Sequence, residues 1–430
     1  MPTATSYTSK IRYLSVAKNV KVQLPGGVSN TFRPGLSDMC SDFKTTTPET
    51  TTTTGGIITT ICGNGQFSST GDGGLAVNAT LKVPTSIAVD SDGNIFILDR
   101  TGYSLRKIDT NGIITTIAGN GDLSDFVAGP ALSSPLPIIN NIILDNTNGD
   151  IYMCGLSKVA KLTPSTDTLP VYSLSINMTN NVFPTGFPSV QFKTLAFDSN
   201  KQVFYAMSNS LDEVNLIYRI PAGGGLSSAI EFLGLSADPP LNYCLAITVD
   251  SVGKVYVLDY GAVPGGEENN LRVYRSNGTL VSQTSSIFAG ENLRDSTFNI
   301  TVDSSGNVYV TEPTVSLIRK VDTSGNITTV AGIGTHPPFF GDGGNAVQSN
   351  LKIPFGLAVD SKSNLFICDA LNRRIRKVTP TLTTTVPGKT VYNPPWFAPA
   401  EYKELCNCKL LTPTPAASAP VETAIIYDGQ

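Results

Sequence analysis

A chain of 430 residues ordinarily divides into two or three domains, unless repeated units build one large one. Hydrophobic residues make up 40 %, enough for a sizeable core, while charged residues are only 15 %, against about 25 % in ordinary soluble domains. The formal net charge of −4 excludes a generally basic nucleic-acid binder, and with no run of about 18 apolar residues no membrane-spanning helix is expected.

The chain begins MPTATSYTSKIRYLSVAKNV, which lacks the apolar core of a secretory leader. Residues 1–54 end in a Thr-rich run, Thr45 to Thr54, and are expected to form an extended arm with a linker. From residue 55 a pattern recurs: an apolar stretch, Asp, a short polar turn, then a second apolar and aromatic stretch. The copies are IAVDSDGNIFILD, IILDNTNGDIYMC, LAFDSNKQVFYAM, ITVDSVGKVYVLD, ITVDSSGNVYVTE and LAVDSKSNLFICD. Their anchoring aspartates are Asp90, Asp145, Asp198, Asp250, Asp303 and Asp360, spaced by 55, 53, 52, 53 and 57 residues. That period is long for a solenoid turn and fits a four-stranded blade with generous loops.

Each copy predicts strands a and b joined by a tight turn, in which Asp bonds its own backbone and Gly takes positive φ. Strand c follows as SLRKID, LIRKVD or RIRKVT, and strand d as IITTIAG or ITTVAG. Val, Ile, Thr, Phe and Tyr dominate, as packed strands prefer. Six copies predict an all-β fold: a six-bladed β-propeller of four-stranded antiparallel blades over residues 55–388, with extended N- and C-terminal arms. Both Ile57 to Cys62 and Leu382 to Val386 read as strand d for the sixth blade. Closure by the N-terminal strand is favoured, since it staples the two chain ends.

LKVPTSIAVDSDGNIFILD and LKIPFGLAVDSKSNLFICDALNRRIRKV, with the link ITTVAGIGTHPPFFGDGGNAVQSN, resemble NHL repeats. The resemblance implies the propeller fold strongly and function weakly, because similar propellers bind proteins, bind RNA, mediate adhesion or act as enzymes.

The a–b and c–d turns share one face and are short. The b–c and d–a loops share the other, which is the expected binding face. Long d–a loops enter the first blade (Gly63 to Leu81), the second (Gly119 to Pro137) and the sixth (Gly332 to Leu351), and ring closure makes these blades neighbours. The candidate partner-binding residues are His336, Phe339, Phe340, Asp342, Asp72, Phe126 and Arg373. Exposed aromatics beside glycines are suited to contacts; the alternative is that the loops pack over the blade junctions.

With His336 as the one histidine, a three-His zinc site is impossible and a Ser-His-Asp triad has no visible nucleophile. No catalytic residue and no cofactor are predicted. Ca²⁺ at Asp72 and Asp342, each in Gly-Asp-Gly-Gly, stands against a turn in which Asp caps its own backbone. The stretch Arg373-Arg374-Ile375-Arg376-Lys377 reads as a solvated outer strand, with RNA binding the alternative. Asn78, Asn177, Asn277, Asn299 and Asn326 begin glycosylation sequons. Of seven cysteines, Cys62, Cys154, Cys244 and Cys368 fall in predicted strands as small hydrophobes, while Cys40, Cys406 and Cys408 lie in the arms.

Residues 389–430 are rich in Pro, Ala and Thr, contain Trp396, and read as a second arm. The expected function is a non-catalytic protein-interaction or scaffold module. Its expected context is a larger assembly, such as a particle shell, a filament or an extracellular surface. Its partners would be protein, through self-assembly or neighbouring subunits held by the arms. A glycan is a second partner class and nucleic acid is disfavoured. An extracellular or particle-surface setting is preferred to the cytoplasm. The alternatives are a lactonase-like hydrolase with an oxygen-ligated metal in the channel, and an RNA-binding NHL module.

Overall fold

The computed structural model describes residues 56–155, 158–164, 172–179, 191–209, 216–221, 230–233, 241, 244–263, 266–288, 299–335 and 339–380. It also gives the backbone of four short strands, Val20–Gln23, Ser29–Phe32, Lys44–Thr46 and Thr390–Tyr392. The chain forms two compact units, Thr54–Thr381 and a second made of Met1–Thr53 with Leu382–Gln430. In the second, Val20–Gln23 pairs antiparallel with Ser29–Phe32, and Lys44–Thr46 with Thr390–Tyr392.

In the larger unit the anchoring aspartates set the hairpins. Asp90 Oδ1 accepts from the backbone of Asp92 and Asn94 at 3.1 and 2.7 Å, and Oδ2 accepts from Asn94 Nδ2. Asp303 and Asp360 repeat this lock. The c–d turns use it too, at Asp109 and Asp322, where backbone and Asn side-chain donors hold both carboxyls below the ordinary range. In blade six Ser363, at φ 60°, and in blade three Gln202, at φ 50°, take the positive φ that glycine supplies in the other a–b turns.

The result is six four-stranded antiparallel meanders, a six-bladed β-propeller. Blade one is Pro84–Val89, Ile95–Asp99, Ser104–Ile108 and Ile114–Ala118. Blade two is Ile139–Leu144, Ile151–Gly155, Lys158–Pro164 and Tyr172–Thr179; blade three is Gln191–Asp198, Val203–Asn209, Leu216–Pro221 and Ile230–Leu233. Blade four is Cys244–Val249, Val255–Val263, Gly266–Tyr274 and Leu280–Ser285; blade five is Ile300–Val302, Val308–Glu312, Leu317–Val321 and Ile327–Ala331. Blade six takes Pro354–Val359, Leu365–Asp369 and Arg374–Thr379 from the end of the unit and its outer strand, Ile57–Cys62, from the start. This is the favoured closure; the competing segment Leu382 to Val386 lies outside the described residues.

Six apolar clusters hold the ring, one between each pair of neighbouring blades. Strand b is buried along its whole length in blades one, two, five and six, because it packs against a blade on either side. The closing strand serves two clusters, with Ile58 in the one between blades five and six and Cys62 in the one between six and one. Blade three departs from the pattern. Its first hairpin pairs Asp198 with Val203, where blade one pairs Val89 with Ile95. A one-residue slip turns strand b over. Phe204 therefore points to blade two, stacking edge-on with Tyr152 at 4.6 Å, and Tyr205 points to blade four.

Candidate functional site

The three long loops are packed, not free-standing. Each opens with a glycine whose N–H donates 3.0 Å to an alanine carbonyl further along: Gly63 to Ala76, Gly119 to Ala131 and Gly332 to Ala346. Those alanines start single 3-10 turns, Ala76–Asn78, Ala131–Ser133 and Ala346–Gln348, and are buried in the blade junctions. The loop backbone then lies along the outer strand of the blade it enters. Gly73 and Gly74 exchange hydrogen bonds with Ile114, Gly343 and Gly344 exchange them with Ile58, and Gly129–Pro130 pairs with Tyr172–Thr179. Three outer edges are thus covered, as unpaired edges need to be. Gly-Asp-Gly-Gly follows from this path: Gly71 and Gly341 both take φ 101°, and a Cβ there would sit 2.8 Å from Ala79 Cα and 2.5 Å from Ser349 Cβ.

Several candidate residues take roles that differ from the expectation. Phe126 is 4 % exposed and belongs to the core between blades one and two. Asp72 accepts 2.5 Å from Nη2 of Arg106 and from the backbone of Thr116. Asp342 accepts 2.9 Å from Nη2 of Arg376. Both arginines are buried, so these carboxylates are already neutralised by a guanidinium where a Ca²⁺ ligand was considered. The stretch 373–377 is not a solvated outer strand either, because Ile57–Cys62 lies outside it and Arg376 is fully buried. Arg376 also bonds Asp369, the last residue of strand b, at 3.3 Å; Arg272 makes the same pair with Asp259 at 3.1 Å. Burial pushes the Asp369 carboxyl up despite its hydrogen bonds from Asn372, Lys352 and Arg376.

Three segments of the loop face meet where blade six joins blade one. Arg373, at φ 55°, donates 3.2 Å to the Gly65 carbonyl and lies 5.1 Å from the Phe67 ring centroid. Arg374 donates 2.9 Å to Asn64, and its guanidinium sits 3.9 Å from the Phe339 centroid, with Arg376 at 4.7 Å on the same ring. Phe339 is thereby tied to the arginine scaffold, while Phe340 is 43 % exposed. Phe67, at 59 % exposure, is not among the residues the sequence singles out, although it lies two residues from Gly65 just as Phe339 lies two residues from Gly341. His336 lies outside the described residues.

Nine of the thirteen described large apolar side chains that remain exposed lie in these segments; the others are Ile57, Ile138, Val252 and Val281. Phe67, Leu75 and Val77 lie in the loop into blade one, Leu123, Val127 and Leu132 in the loop into blade two, and Ile333 and Phe340 in the loop into blade six, with Leu371 in the adjoining b–c turn.

A channel of about 450 Å³ runs down the axis, walled by strand a of every blade. Asn141 is taken up by Ser86, Thr194 and Leu195, and Asn299 Oδ1 accepts from Leu357, so both amides knit neighbouring blades. Among the described residues no group of three or more His, Cys, Asp or Glu side chains is placed to hold a metal. The thiols of Cys62, Cys154 and Cys368 are buried, and burial pushes that of Cys62 up to about 12, the reverse of what a nucleophile needs. Of the sequons, Asn78 and Asn277 are exposed, Asn299 faces the channel, and Asn326 locks the Asp322 turn. Nothing is described of the Asn177 side chain.

The blades form a six-bladed β-propeller whose repeats are similar to NHL repeats. The model of the teneurin NHL domain matches residues 43–145. Teneurin-3 of Mus musculus is 28 % identical over 320 residues, which is 72 % of this chain and 8 % of that protein. Teneurin-1 of Homo sapiens is 26 % identical over 375 residues, 75 % of this chain and 13 % of that protein. The chain therefore spans a small fraction of these relatives. Among solved structures, a protein of unknown function from Bacteroides thetaiotaomicron aligns at a TM-score of 0.52 and 16 % identity over 75 % of each chain, a likeness of fold alone.

Proposed function

We propose that the propeller is a non-catalytic protein-interaction module whose contact surface is the loop sector of blades six, one and two. The observation that carries this reading is the gathering of exposed apolar side chains, Phe67, Phe340 and Leu371 among them, beside Arg373 on that sector. Apolar side chains grouped on a rigid frame and rimmed by arginine suit a protein partner. The similarity to the teneurin NHL domain supports it. A second copy of the chain is the partner tested first, because the proposal includes a place in a larger assembly. In sedimentation velocity the full chain should self-associate. The triple variant F67A/F340A/L371A should associate at least about tenfold more weakly with unchanged circular dichroism. Association unchanged by the three substitutions would remove the loop sector from the reading.

An extracellular setting is the second half of the proposal, supported by the same similarity. Its mark is N-linked glycan on the exposed Asn78 and Asn277, so glycosidase treatment of protein from secreting cells should lower the mass, and N78Q/N277Q should reduce that loss.

A further inference from the structure

Lysines on strand c cover the aromatic rings of strand b in four of the six blades. The pairs stand directly opposite across the ladder: Phe96 with Lys107, Tyr152 with Lys161, Tyr309 with Lys320 and Phe366 with Lys377. Each ammonium lies 5.6–5.9 Å from its ring centroid. In blade three, where strand b is turned over, Tyr205 stands opposite Arg219. In blade four the aromatic is Tyr256 and the residue opposite is Val273. A valine is three atoms shorter along the chain than a lysine, so Val273 packs at the edge of the cluster between blades four and five and carries no charge out over the Tyr256 ring.

The space shows. A cleft of about 550 Å³ opens between blades four and five, floored by Tyr256, Leu271, Val273, Val308 and Val321. It lies on the face of the a–b and c–d turns, opposite the long loops, where the sequence left little room for function. Its charged lining is Asp250, Asp303 and Asp322, against Lys254 alone. Asp250 Oδ2 accepts from the Tyr256 hydroxyl at 3.0 Å, which ties the nearest carboxylate to the ring. Asp303 is 5 % exposed. Val252 and Val281, both also on the lining, are 71 % and 45 % exposed.

We propose that this cleft binds a primary alkylammonium group, which occupies the place that a lysine side chain fills in the sister blades. The apolar floor and the two valines take the alkyl stem. The carboxylates and the Tyr256 ring attract the ammonium, as the repeated lysine–aromatic pairs do within the chain. Two sources carry this chemistry, a free amine and the lysine side chain of a polypeptide.

The test uses the full chain and two probes, n-butylammonium and Nα-acetyl-lysine N-methylamide, at constant ionic strength. Both should raise Tm with concentration, as a ligand of the folded state must. n-Butanol, of the same shape without charge, should bind at least about tenfold more weakly. V273K supplies the missing lysine from within and should abolish the shift; V273M fills the volume without the charge and does the same should V273K fail to fold. A larger shift from the blocked lysine assigns the site to a polypeptide, and a larger shift from n-butylammonium assigns it to a free amine. No shift with either probe, equal shifts with n-butanol, or undiminished shifts in the filled variants overturns the proposal.

Discussion

Arg376→Ala is expected to destabilise the propeller by about 3–5 kcal/mol, the usual cost of stripping one partner from a buried ion pair. Arg376 is fully buried, as is Asp369, and it bridges Asp369, Asp342 and the Asn350 carbonyl. Its loss leaves the buried Asp369 with Lys352 N–H and Asn372 Nδ2 as its donors among the described residues. The pH dependence has a definite sign. Burial already raises the Asp369 carboxyl above its unfolded value. A group raised in the folded state holds a proton there that the unfolded chain has released, so stability falls as pH rises. In R376A that fall should begin above about pH 4, the ordinary Asp value. The companion R319A should cost less, because Arg319 is 24 % exposed and its 3.7 Å separation from the buried Glu312 is too long for a hydrogen bond. Urea denaturation of the two variants between pH 4 and 8 decides the matter; equal losses would refute the clamp.

Ile58→Pro should cost about 3 kcal/mol or more. The Ile58 amide donates 3.0 Å to the Gly344 carbonyl, its side chain is buried between blades five and six, and it pairs with Val378. Proline removes the donor and cannot fit the ladder. The ring then loses its seam, and hydrogen exchange should find the amides of Ile375–Thr379 unprotected long before those of blade four. A melting temperature within a degree of wild type would mean that closure contributes little.

The blades were legible because a period-two apolar pattern and an Asp-locked turn repeat at near-constant spacing. The seam was legible because one strand too many was present. What sequence reading misjudged was exposure. Phe126 reads as a contact residue because it sits in a loop, yet the loop folds back over the junction and carries the ring into the core. Asp72 and Asp342 were weighed as metal ligands because their partners are remote in sequence. The signal was present: each precedes its buried arginine, Arg106 or Arg376, by 34 residues. The Val273 cleft needed the ladder register first, since in blade four strands b and c are lengthened into the hairpin Val255–Val263 with Gly266–Tyr274, which carries the position that elsewhere is lysine further along the chain.

The seam also fixes how the ring answers tension. Ile57 pairs with Thr379, and Gly56 packs against the Thr379 carbonyl, so the propeller's first and last residues leave side by side at one end of an antiparallel ladder. A pull that separates the two ends of the propeller itself acts on that rung first and then on the next, peeling the hydrogen bonds singly where a shearing load would strain them together. The joint that makes the ring cooperative at rest is thus the one within the propeller that yields first under such a force, and it yields as a zip fastener does, from its open end.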